Sequence, residues 1–239
     1  MNGVFIAGTD TGIGKTLVAA AVVALSREQG VNAVPVKPVQ TGCAQRDGAR
    51  VAPDLEFCLR MSGLKLDPSE TDALCPVKLA LPASPHLAAA HESTTVSVIE
   101  LVSAVRAIDQ AHGFVVVEGA GGLMVPLNPR EMMLDLAVSL DLPVVLVARS
   151  GLGTINHTLL SLCALRAAGS EPVAVVLNDV TPNVQEEIAV DNRRTIERCG
   201  AVTVAGRIPF TPGIEDFNSD QFLEFAGAHL AELMSCLGV

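Results

Sequence analysis

The chain has no tryptophan and no tyrosine, and phenylalanine, at seven residues, is left to supply its aromatic rings. A nucleic-acid surface built on stacked aromatic platforms is therefore not expected. Basic residues are also scarce. Sixteen Lys and Arg stand against 26 Asp and Glu, a formal net charge of −10 that repels polyanions and anionic bilayers. Neither nucleic acid nor membrane is an expected partner, although a few placed lysines can still hold a small anion. No apolar run approaches the roughly 20 residues of a membrane-spanning helix. Hydrophobic residues make up 49% of the chain, yet Gly, Pro or a charge interrupts every candidate. The six cysteines include no Cys-x-x-Cys pair, which argues against the usual zinc and disulfide frames and suits a reducing compartment. The first strand-like run begins at residue 4, too early for a signal-peptide core, so the expected location is cytoplasmic.

What the chain does have is a glycine-rich run, Gly8-Thr9-Asp10-Thr11-Gly12-Ile13-Gly14-Lys15-Thr16, placed directly after the apolar stretch Val4-Phe5-Ile6-Ala7. A strand handing over to such a turn, followed by a helix, makes a phosphate-binding loop. Backbone N–H groups converge on the anion and the helix adds its positive dipole end. Lys15 is expected to reach the β- and γ-phosphates, and the Thr16 hydroxyl to ligate an accompanying Mg²⁺. Five residues rather than the usual four lie between Gly8 and Gly14. The Ala-rich run from Leu17 to Leu25 reads as the following helix, with Gly30 as its stop.

At 239 residues the chain suits one large α/β domain spanning residues 1–239. Continuous apolar runs at residues 4–7, 33–36, 114–117, 144–148, 173–177 and 202–204 read as strands buried on both faces. Helical stretches fall between them at 17–28, 96–111, 132–140, 154–168 and 184–199, and a last one covers 221–237. The alternation predicts a doubly wound, mostly parallel sheet flanked by helices, of the P-loop NTPase kind. Residues 46–91, less regular and rich in proline, are expected to form helices and loops capping the site.

In such folds ligands gather at the carboxyl edge of the sheet. Lys37 ends the second strand ahead of Pro38, which holds its backbone extended and presents the side chain at that edge. Thr41 and Gly42 form a polar turn behind it. Glu118 closes the run 114–117 like a Walker-B acid, followed by Gly119-Ala120-Gly121-Gly122, where backbone can approach a ligand closely. Asp54 follows Pro53 at a helix start and on sequence alone is an N-terminal helix residue. The carboxamide of Asn178, at the end of the run 173–177, matches the donor and acceptor pair of adenine. The histidines show no metal-ligand spacing.

Taken in order, the extended loop, Lys37-Pro38-Val39-Gln40-Thr41-Gly42, Ser84-Pro85-His86, Val117-Glu118-Gly119-Ala120-Gly121-Gly122, Ile155-Asn156-His157 and Asn178-Asp179-Val180-Thr181-Pro182 resemble the dethiobiotin synthetase family. The resemblance implies an ATP- and Mg²⁺-dependent ligase of biotin biosynthesis that joins 7,8-diaminononanoate and CO₂. It implies catalytic roles for Lys15 and Lys37. ATP contacts would come from Thr11, Gly12, Ile13, Gly14, Lys15, Thr16, Asp54, Glu118, Gly119, Ala120, Gly121, Asn178, Asp179, Pro209, Phe210 and Thr211. Substrate contacts would come from Thr41 and Asn156, the latter across a homodimer interface. Thr16, Asp54 and Glu118 would organise Mg²⁺. One position departs from some members of that family: Gly12 stands where a glutamate can occur. The alternative is a partitioning or positioning ATPase switch, which usually carries a lysine where this chain has Asp10.

Overall fold

The structure, a computed structural model, describes residues 1–46 and 48–239. Strand β1 (Gly3–Gly8) is buried from Val4 to Ala7 and leads through the glycine-rich loop into α1 (Lys15–Glu28). Gly14 caps α1 at φ +95°, a left-handed conformation suited to glycine, and α1 has neither a side-chain cap nor an acidic first turn. Its first N–H groups and its dipole are therefore left to an anion from outside the helix. Strand β2 (Ala33–Val36) follows, then the short β3 (Val39–Gln40), β4 (Ala44–Arg46) and β5 (Ala49–Val51). Helices α2 (Pro53–Met61) and α3 (Pro68–Ala73), strand β6 (Val77–Lys78) and helix α4 (Pro85–His91) complete the irregular region. All three of these helices open with proline, whose fixed φ and missing N–H suit the first helical turn.

The remaining elements alternate: α5 (Val98–His112), β7 (Phe114–Glu118), α6 (Met133–Leu140), β8 (Val144–Arg149), α7 (Thr154–Ala167), β9 (Pro172–Asn178), α8 (Glu186–Gly200), β10 (Val204–Ile208) and α9 (Ser219–Leu237). Six strands form one sheet in the order β10-β9-β8-β1-β7-β2, every neighbouring pair parallel. Side chains alternate between its faces. Phe5, Val115, Val117, Leu146 and Val175 pack with α5, α6 and α7 on one side; Val4, Ile6, Val116, Val145 and Val176 pack with α1 and α9 on the other. The doubly wound expectation holds, and burial on both faces explains why the strands are continuous apolar runs rather than alternating ones.

Two features depart from the sequence reading. The last strand was expected at residues 202–204 and instead runs Val204–Ile208. Gly206 and Arg207 interrupt the apolar pattern there, and a register irregularity between Val204 and Arg207 bends the strand against β9. The region 46–91 also holds strand pairs, β3 with β6 in parallel, and β4 with β5 in an antiparallel hairpin that begins just ahead of it. Strands of two or three residues have too little length for a period to be read.

Gly206 is set by packing rather than by φ. A Cβ built there would lie 2.7 Å from the His229 carbonyl and 2.8 Å from the Leu230 side chain, so α9 rests directly on the β10 backbone. Gly206→Ala is expected to destabilise the fold by about 1–3 kcal/mol through overpacking, read as a lower urea midpoint with an unchanged slope.

Candidate functional site

A cleft of about 320 Å³ opens at the carboxyl ends of β1, β2 and β7. Its floor is the glycine-rich loop. Lys15, only 6% exposed, donates from Nζ to the Asp10 carbonyl at 2.7 Å. Burial drives the Lys15 pKa down to about 8; Glu118 opposes the shift, and repulsion from Lys37 adds to it. Gly12 and Gly14 both have positive φ, which lets the loop turn its backbone towards the cleft. Thr11, Gly12, Gly14, Lys15 and Thr16 line it, while Ile13 is buried and does not.

Lys37 enters from the end of β2, its own N–H bonded to the Leu74 carbonyl at 2.9 Å. Its ammonium, 4% exposed as a residue, lies 2.6 Å from Asp54 Oδ2 and 2.8 Å from Glu118 Oε1, and donates at 3.3 Å to the Gly119 carbonyl. Burial pulls its pKa down, but the two carboxylates outweigh burial and hold it well above the ordinary lysine range. Lys37 is thus a fixed cation at any physiological pH. Glu118, at the end of β7, is 4% exposed; burial raises its pKa, and attraction to Lys37 works against that rise. The Thr16 hydroxyl donates to the same Glu118 oxygen at 2.8 Å. Asp54 stands in the first turn of α2 with its side chain 31% exposed, facing the cleft that Lys37 and Glu118 line. One hydroxyl and two carboxylates, all hard oxygen donors, meet around one ammonium.

The other expected residues fall in three places. Thr41, Ala120 and Gly121 line the cleft. Gly119 lies just below it, where a Cβ would come within 3.2 Å of the Phe5 ring, so this turn packs onto the sheet. Asn178 sits on the far side of the loop: its amide donates to the Ile13 carbonyl at 3.0 Å, and a Cβ on Gly14 would meet that amide nitrogen at 2.3 Å. Asp179 pairs through both carboxylate oxygens with Arg207, at 2.9 Å each, and also accepts from the Ser150 hydroxyl. Its backbone N–H bonds the Ile208 carbonyl, which ties the ends of β9 and β10 together. Pro209, Phe210 and Thr211 continue from β10, with Phe210 42% exposed. Asn156 does not line the cleft; it lies exposed in the first turn of α7. Sequence reasoning assigned no role to Val39 and Gln40, which also line the cleft. Their signal was position, immediately after Lys37-Pro38.

A parallel sheet with a glycine-rich loop, a buried lysine and a strand-end acid at its carboxyl edge defines a P-loop nucleotide-binding protein. Solved structures agree on the fold. A chain of the Aquifex aeolicus MinC:MinD cell division protein complex matches 98% of this chain and 96% of its own at TM-score 0.58 and 13% identity. The Pyrococcus furiosus cell division ATPase MinD matches 98% and 99% at TM-score 0.57 and 15% identity. A family described as an AAA domain matches residues 2–217.

Curated relatives named ATP-dependent dethiobiotin synthetase BioD align over most of the chain. One from Anaeromyxobacter dehalogenans is 42% identical over 214 residues, 90% of this chain and 92% of its own. One from another Anaeromyxobacter is 48% identical, over 74% of this chain and 77% of its own. A Bacillus cereus relative is 34% identical over 96% of this chain and 91% of its own. The chain belongs to the dethiobiotin synthetase family.

Removing the cation from this cluster tests its electrostatics. Lys37→Met is expected to leave the fold formed but weakened by about 3–5 kcal/mol near pH 8, the usual cost of stranding a buried charge. Without the ammonium, the folded-state pKa of Glu118 rises further above its unfolded value. The folded state then binds the extra proton, and the defect shrinks as pH falls through that raised pKa. Urea unfolding at pH 8 and pH 5.5 checks this; an equal loss at both would mean that Glu118 does not depend on Lys37.

Proposed function

We propose that the protein is an ATP-dependent dethiobiotin synthetase, a ligase that closes the ureido ring of dethiobiotin from 7,8-diaminononanoate and CO₂ with release of ADP and phosphate. The observation that carries this reading is the convergence of Lys15, Lys37, Asp54 and Glu118 on one cleft in a chain of that family. One amine of the substrate adds to CO₂ as a carbamate. A carbamate oxygen attacks the γ-phosphorus, displacing ADP and giving a mixed carbamic-phosphoric anhydride. The second amine then attacks the carbonyl carbon, closes the ring and expels phosphate. Holding both amines in one cleft makes this closure unimolecular.

Each residue has a part in handling anions. The loop from Thr11 to Thr16 cradles the phosphates on backbone N–H groups and the start of α1. Lys15 reaches the phosphates as a cation. Lys37, fixed as ammonium by its two carboxylates, cannot serve as a base and acts on the carbamate and the transferred phosphoryl group. Thr16, Asp54 and Glu118 would hold Mg²⁺, and their hard oxygen donors fit that ion. When bound, Mg²⁺ neutralises charge on the phosphate oxygens. Asn178, Asp179 and residues 209–211 frame the base, and the Asp179–Arg207 pair keeps the ends of β9 and β10 together beneath it. Thr41 contacts the diamine.

A homodimer fits the position of Asn156. Leu152, just ahead of α7, and Leu160, one turn beyond Asn156, are 86% and 61% exposed, and Met124, 63% exposed, lies with Leu160 in a depression reaching Thr11. A partner covering this surface would bring its Asn156 towards the cleft mouth. Among the described residues no helix is long and apolar enough to cross a membrane. We assign the protein to the cytoplasm and read residues 1–239 as one domain.

The direct test is mass-spectrometric detection of dethiobiotin from purified protein given 7,8-diaminononanoate, bicarbonate, Mg²⁺ and ATP, with phosphate release followed in parallel. Product that requires every component supports the reading. ATP hydrolysis indifferent to the diamine, with no ureido product, would favour a nucleotide switch instead.

The lowered pKa of Lys15 gives a second expectation. The free enzyme needs Lys15 as ammonium, so kcat/KM for ATP should be flat below about pH 8 and fall tenfold per pH unit above it. A profile flat to pH 10 would mean that Lys15 keeps its proton or does not bind phosphate.

A further inference from the structure

Arg149 has no part in the roles above. It ends β8, the parallel neighbour of β1, with Val147 opposite Gly8, so the two chains leave the sheet side by side. There Arg149 Nη2 donates to Asp10 Oδ2 at 2.8 Å. Asp10 makes two further hydrogen bonds. Its Oδ1 accepts from the Thr11 N–H at 2.7 Å, and its carbonyl accepts from Lys15 Nζ at 2.7 Å. A single residue therefore joins the guanidinium on β8 to the lysine of the phosphate loop.

The arginine is not placed as a solvated surface charge would be. Its side chain is 34% exposed, and its Nε is buried without a hydrogen-bond partner among the described residues. A buried N–H left unpaired is unfavourable, so this position is held for the contact that Nη2 makes. The Asp10 side chain is 49% exposed, and a pair this open contributes little to global stability. Its effect is local. With the carboxylate anchored to β8 and to the Thr11 N–H, the Asp10 peptide cannot rotate freely, and its carbonyl stays aimed at Lys15.

We propose that Arg149 is a positioning residue for the phosphate loop, acting through Asp10 to fix the carbonyl that holds the Lys15 ammonium. This rests on reading residues 8–16 as the ATP phosphate site. Arg149 does not line the cleft, so its loss is expected to affect triphosphate binding and to spare diamine handling.

The test is a double-mutant cycle on Arg149→Ala and Asp10→Ala, with calorimetric binding of the non-hydrolysable imido analogue of ATP alongside steady-state kinetics. Arg149→Ala is expected to weaken the analogue about fivefold, the size an ion pair of this exposure supports. The KM for ATP should rise by the same factor, while kcat, the KM for the diamine and the melting temperature stay near wild type. Arg149→Lys should recover part of the loss, and the double variant should be no worse than the poorer single one. Unchanged analogue affinity in Arg149→Ala, or single losses that add in the double variant, would overturn the proposal. An equal rise in both KM values would also overturn it, by marking a general structural defect. If Lys15→Ala binds the analogue as tightly as wild type, the phosphate-loop reading itself fails, an outcome the Arg149 variants alone do not produce.

Discussion

The ammonium of Lys37 between Asp54 and Glu118 is the contact on which the site depends. Three separate pieces of chain meet there: the end of β2, the first turn of α2 and the end of β7. Two carboxylates this close repel each other, and burial of Glu118 adds to the cost of its charge. Lys37 supplies the compensating cation and is in turn held as a cation by them. The same oxygens, with the Thr16 hydroxyl already on Glu118, form the donor set assigned to Mg²⁺. A divalent ion held by these oxygens would compete with Lys37 for them, and would leave the ammonium free to meet an anion in the cleft.

Lys15 shows the opposite balance within the same cleft. Both lysines are buried, yet one pKa is pushed down and the other is held up. Lys37 has two carboxylates in direct contact, whereas the direct partner of Lys15 is a neutral carbonyl. A carbonyl orients an ammonium but returns little of the solvation it lost. Lys15 is therefore the lysine with more to gain from a polyphosphate, which replaces that lost solvation with full charge. The uncapped start of α1 has the same unmet demand. On the proposed reading, a nucleotide would gain most where the protein has left positive charge poorly compensated.

Much of this was legible in the sequence, for reasons that differ by element. The strands at 4–7, 33–36, 114–117, 144–148 and 173–177 were readable because burial on both faces makes them continuous apolar runs. The last strand was misplaced because its pattern is broken at Gly206, where α9 requires bare backbone, and no single-strand pattern encodes a neighbouring helix. Lys15, Thr16, Lys37 and Glu118 were legible because each stands at a strand end or helix start, which topology alone sends to one edge. Asp54 was not, on residues alone. Its pairing with Lys37 depends on how α2 crosses that edge, and only the family resemblance suggested it.

Asp10 and Arg149 escaped the sequence reading for a related reason. They lie 139 positions apart, and their meeting depends on β8 lying beside β1, a strand order that alternation of helices and strands does not specify. Asp10 was noticed only as the absence of a lysine that related switch ATPases carry. In the folded chain that position has a positive content of its own. Its carbonyl faces inward to Lys15 and its carboxylate faces sideways to the neighbouring strand. A lysine at position 10 could not make the second contact, since it would set two cations together. A chain built to hold its phosphate loop from the adjacent strand therefore has a physical reason to carry an acid there.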